Sequence, residues 1–179
     1  MVTISELMLG LNVLGEAGAR ATFVIGHSYG GTVLLDALDA AEAKRNPMHE
    51  IDDSFAGLTG IAGGITMGTS LQPGILGLDR PWRHATRPLY RPAEVRLLMI
   101  TASCDGLVPP PAVKATAVRY SPPARYQVME GGTHFGWTEH QGPHDQVDRD
   151  GKAKVSRIEQ QSKTVELCRD FICEARCPH

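Results

Sequence analysis

The sequence predicts an α/β fold: one domain over residues 1–179, with a mostly parallel sheet flanked by helices. Three observations predict it. Short apolar, partly β-branched runs at residues 21–25 and 95–101 have the composition of buried parallel strands, and residues 125–129 read as another strand. Segments with apolar residues at helical spacing alternate with those runs. The 179-residue length suits a single core.

The elements follow in chain order. Ile4, Leu7, Met8, Leu11 and Leu14 fall near helical spacing. Thr3 and Glu6 have the form of a capping box, and the helix should end near Gly15 to Gly18. The strand at 21–25 runs into Gly26-His27-Ser28-Tyr29-Gly30-Gly31, and a helix follows from Tyr29 to about Lys44, closed by Pro47. Residues 55–65 are Gly-rich but apolar and hold a second parallel strand. Residues 66–92, with many Gly, Pro and Arg, read as a surface excursion. Residues 95–101 form a strong buried strand. Residues 110–120 are helical, with prolines at the start. Residues 125–129 form another strand, 136–151 a polar, His-rich loop, and 154–173 a long helix.

Composition excludes several function classes. The formal net charge is -2 with no basic cluster, so nothing favours nucleic acid or an anionic membrane. No apolar run is long enough to span a bilayer. The start carries no basic stretch followed by an apolar one, so no secretory signal is read, and the expected location is cytoplasmic. Cys104, Cys168, Cys173 and Cys177 do not form a disulfide framework. Cys173 and Cys177 share a helix face, which favours free thiols or a bridge to a distant segment. His179 stands near them, but no C-x-x-C pair exists, and no metal site or cofactor is expected.

The chemistry centres on Gly26-His27-Ser28-Tyr29-Gly30. This is G-x-S-x-G between a strand and a helix, a context that puts Ser28 at the tip of a sharp turn at the sheet's carboxyl edge. Gly26 and Gly30 leave room for strand and helix to approach. A serine hydroxyl needs a base, and the base needs a group to hold it. The next strong strands supply both at their carboxyl ends: Asp105 after 95–101 and His134 after 125–129. Singly, each has an ordinary explanation. Asp105 before Gly106 is a common turn pair, and His134 could be any loop histidine. Their order, each at a strand end, is what those explanations omit. His27 reads as structural. His140, His144 and Asp145 read as parts of a solvated loop. Asp79 is the rival acid.

Gly26-His27-Ser28-Tyr29-Gly30-Gly31, Asp105-Gly106-Leu107-Val108-Pro109 and Gly132-Thr133-His134-Phe135 resemble the three signature segments of the α/β-hydrolase superfamily, nearest its serine esterase, lipase and dienelactone-hydrolase-like branches. The resemblance spans roughly Leu7 to Ile172. It implies Ser28 as nucleophile, His134 as general base and acid, Asp105 as the residue orienting His134, and the Tyr29 amide as an oxyanion donor. It also implies a partial α/β-hydrolase fold lacking the N-terminal strands and the loop that supplies the second oxyanion donor. Residues 66–92 occupy the place of the lid. The expected activity is hydrolysis of small-molecule carboxylic esters through an acyl-enzyme. The alternative is a non-catalytic remnant that acts by protein association, with self-association through the exposed sheet edge.

Overall fold

The computed structural model describes residues 4–19, 22–45, 61–71, 89–91, 94–139 and 143–176. Within them the elements run α1 (Ile4–Glu16), β1 (Thr22–His27), α2 (Tyr29–Arg45), β2 (Ile61–Met67), β3 (Leu89–Tyr90), β4 (Arg96–Ala102), α3 (Pro110–Ala117), β5 (Tyr120–Ser121), β6 (Arg125–Met129), α4 (His144–Arg149) and α5 (Arg157–Arg176). A 3-10 turn, His134–Trp137, follows β6.

The main sheet has four strands in the order β1-β2-β4-β6. Every neighbouring pair is parallel. Parallel pairing needs a crossover between strands, and α2 and α3 lie in those crossovers. β3 and β5 form a separate two-stranded ribbon. This is a partial α/β-hydrolase fold, with β1 as one edge of the sheet among the described residues.

Side-chain alternation along β4 divides the core into two layers. Leu97 and Met99 point to one face, where Leu34, Leu35 and Leu38 of α2 and Val113 of α3 cover them. Leu98 and Ile100 point to the other, against Phe171 of α5 and Ile65 of β2. The sheet is thus covered on both faces, which explains why its central strand β4 is a near-continuous apolar run.

Four expectations shift at the edges. β1 and β2 run two residues further than their apolar cores, because Gly26 pairs with Thr66 and His27 with Met67. Thr66 and Met67 therefore belong to the sheet rather than to the excursion. The helix expected over 110–120 stops at Ala117, and Tyr120 pairs with Leu89. The polar stretch after His134 is not all loop, since it holds the 3-10 turn and α4. α1 ends in a Schellman motif: Gly18, at φ 87°, donates to the Gly15 carbonyl and Ala19 donates to that of Leu14. Leu11 is buried and Leu14 exposed, so only part of the expected stripe faces inward. Residues 72–88, with Asp79, and also Thr3, Pro47, His140, Cys177 and His179 lie outside the described residues.

Candidate active site

Ser28 sits between β1 and α2 with φ 53°, among the described residues the one non-glycine in the left-handed region. That conformation costs an L-residue about 1–2 kcal/mol, so its surroundings must hold it. The Ser28 amide donates to the Met67 carbonyl at 2.9 Å, and the Ser28 carbonyl accepts from the Thr32 amide at 3.2 Å. The Thr69 hydroxyl lies 3.1 Å from the same carbonyl. Close approach of strand and helix does require Gly26, where a Cβ would come within 2.7 Å of Gly30 and Gly31 backbone. Gly30 is different from expectation: a Cβ there meets nothing within 4 Å. Gly31 is the second constrained position, because its Cβ would strike the Thr69 side chain.

The two other expected residues come to Ser28. His134 Nε2 lies 2.9 Å from Ser28 Oγ. His134 Nδ1 lies 2.9 Å from Asp105 Oδ2. Asp105 Oδ1 accepts from the amides of Leu107 at 2.9 Å and Val108 at 2.7 Å, which fixes the carboxylate within its own turn. Asp105 and His134 are both buried. A carboxylate facing Nδ1 dictates that Nδ1 carries the proton, which leaves Nε2 as the acceptor facing the serine hydroxyl. Gly68, at φ 55°, lies against this pair. A Cβ there would be 2.9 Å from His134 Nδ1 and 3.1 Å from Asp105 Oδ2. Tyr29 opens α2 immediately after Ser28.

His27 does not join the Ser28, His134 and Asp105 chain of contacts. Its Nε2–H donates to the His134 carbonyl at 3.0 Å. The two rings lie 4.7 Å apart, and the Trp137 ring lies 5.7 Å from His27 edge to face. Burial first, and the neighbouring His134 charge second, push the His27 pKa down to about 4. The ring is therefore neutral at pH 7 and serves as a support for His134.

Two groups that sequence reasoning passed over complete the arrangement. The Gln160 side chain of α5 pairs with both backbone groups of Thr133, accepting from its amide at 3.0 Å and donating to its carbonyl at 2.9 Å. Asp150 accepts from the amides of His134 and Phe135, each at 3.0 Å. A polar residue that bonds backbone far away in sequence leaves no local pattern to find.

His144 and Asp145 are exposed on α4. Cys104, Cys168 and Cys173 are free thiols. Among the described residues no group of three or more His, Cys, Asp or Glu side chains could hold a metal ion. No described helix is long and apolar enough to cross a membrane.

No protein-family model matches the sequence, and no curated protein is significantly similar to it. Solved structures do resemble it. A thermophilic esterase from Thermogutta terrifontis in its malate-bound form aligns with 99% of this chain and 74% of its own, at 14% identity and TM-score 0.57. The α/β hydrolase domain-containing protein 10 from mouse aligns with 97% of this chain and 70% of its own, at 13% identity and TM-score 0.56. A protein of unknown function from Agrobacterium tumefaciens aligns with 96% of this chain at 15% identity and TM-score 0.54. This chain spans 59% of the length of that last protein. At such identities the likeness is one of fold, and the fold is that of the α/β hydrolases.

Proposed function

We propose that the chain is a serine hydrolase that cleaves carboxylic esters through an acyl-enzyme. The observation that carries this reading is the pair of 2.9 Å contacts linking Ser28 Oγ to His134 Nε2 and His134 Nδ1 to Asp105 Oδ2. In the proposed reaction Ser28 Oγ attacks the ester carbonyl while His134 Nε2 takes its proton. Asp105 stabilises the imidazolium so formed and holds the ring's tautomer. The Tyr29 amide, at the N-terminus of α2, donates to the oxyanion. His134 then protonates the leaving alkoxide. Water, deprotonated by the same nitrogen, attacks the acyl-Ser28 ester and releases the acid. No step uses a cofactor. Of the branches that the motifs resemble, the esterase reading with a small-molecule substrate is the one proposed.

A fluorophosphonate should add to the protein at a single residue, and Ser28→Ala should abolish the adduct, read by mass spectrometry of the intact chain. Labelling that survives Ser28→Ala would place the nucleophile elsewhere. A second reading, a chain that keeps these side chains but acts by association, draws on the outer side of β1, which has no paired strand among the described residues. It predicts no adduct and no ester turnover from a folded protein.

A further inference from the structure

We propose that Asp150 is a positioning residue that locks His134 and Asp105 into one geometry from outside the triad. The proposal rests on the reading of Ser28, His134 and Asp105 as that triad. The 3-10 turn carrying His134 begins at Thr133, whose side chain makes no capping bond. Its first amides still need acceptors. Asp150 supplies them from another segment: Oδ1 takes the His134 amide and Oδ2 the Phe135 amide, each at 3.0 Å. Oδ1 also accepts from Gly106, the residue after Asp105, at 3.2 Å. Its own neighbour Gly151 donates to Oδ1 at 3.0 Å. Oδ1 thus takes three amides and Oδ2 one. A single side chain therefore spans the turn of the base and the turn of the acid.

The surroundings are built to keep it there. The Asp150 amide closes α4 on the carbonyls of Gln146 and Val147. A Cβ on Gly106 would lie 1.9 Å from the Arg149 carbonyl oxygen, and one on Gly151 would lie 2.1 Å from that of Cys104. Only paired glycines let the 149–151 segment lie against the Asp105 turn at this distance. Three residues on, the Lys154 amide donates to the Gly131 carbonyl. Asparagine at position 150 would turn its NH2 against the Phe135 amide that Oδ2 now accepts, and alanine would remove the acceptor from all four amides.

Two readouts test this, on Asp150→Asn and Asp150→Ala beside the exposed neighbour Asp148→Asn. The first needs no activity: the low-field proton NMR resonance of His134 Nδ1–H in its bond to Asp105. It should broaden or vanish in both Asp150 variants, at a temperature where circular dichroism shows them folded, and persist in Asp148→Asn. The second is the rate of Ser28 phosphonylation by a fluorophosphonate, which should fall about 10- to 100-fold, the scale of an ångström-sized misplacement. Ester KM should stay within about threefold, since binding is not what is lost. An unchanged resonance and an unchanged labelling rate in both folded Asp150 variants would overturn the proposal. Loss of the resonance in a protein whose parent is never labelled would support the positioning role and reject the hydrolase reading.

Discussion

His27 shows how one residue beside Ser28 supports the site without a hydrogen bond to the serine. Its ring contacts His134 at 4.7 Å and Trp137 at 5.7 Å, and its Nε2–H is committed to the His134 carbonyl. A protonated His27 would put a charge against the ring that the proposed mechanism charges in turn. Because its pKa drops from 6.5 to about 4 on folding, the unfolded chain binds the extra proton between those values. The resulting stability is fully present above pH 6.5 and is lost as pH falls towards 4. The expected loss is on the order of 3 kcal/mol, from 1.36 kcal/mol per unit. Urea unfolding across that window should show it, and His27→Gln, which keeps a donor but cannot titrate, should lose that part of the slope. An equal slope in His27→Gln would show that His27 is not buried as a neutral ring. At this scale the contacts of His134 with Ser28 and Asp105 join three residues that the sequence singles out, because each follows a strand and stands in a short motif. It concealed Asp150 and Gln160, whose partners lie 16 and 27 positions away. Gly31 rather than Gly30 as the tight position was equally hidden, since only the Thr69 side chain makes it so.

Among the elements, β4 was legible because burial on both faces writes itself as a near-continuous apolar run; in β6, which carries Arg125 and Gln127, only Met129 is buried. The 3-10 turn and α4 were not legible. Both are short, and their termini are satisfied by Asp150 and by backbone groups rather than by capping side chains. The join between α5 and the His134 turn is of the same kind. Gln160 acts there as a strand would, offering one donor and one acceptor to Thr133. The Trp137 indole adds a bond to the Thr164 hydroxyl at 2.9 Å. Gln160→Ala would leave the buried Thr133 amide without a partner, while the Thr133 carbonyl keeps the Gly136 amide at 3.3 Å. At about 1–3 kcal/mol for such a group, the substitution should lower stability by about that amount. The denaturation midpoint should fall accordingly, and ester turnover should fall with it because Thr133 adjoins His134. A midpoint within error of the parent's would mean that water replaces the side chain at no cost.

For the whole molecule, the telling feature is the outer side of β1. Its inner side pairs with β2, and no described strand pairs with the other. Half the backbone groups of a parallel strand point outward, and an edge that offers them without protection invites another strand. The sequence from Thr22 to Ile25 contains no Pro, no Gly and no charge to discourage that. Ile25 is 52% exposed at this edge. It lines an apolar groove of about 680 Å³ with Met67, Trp137, Val165, Cys168 and Ile172, so strand pairing and groove filling would act together. Two copies meeting at β1 across a two-fold axis would pair antiparallel and bring both grooves to the same seam. The protein is therefore expected to sediment, at tens of micromolar, above its 19.4 kDa chain mass. Ile25→Lys places a charge on the edge at a position whose side chain is half in solvent, so folding should survive. It should move the mass back towards one chain. A parent that already sediments as a single chain would show that the outer side of β1 is satisfied in some other way.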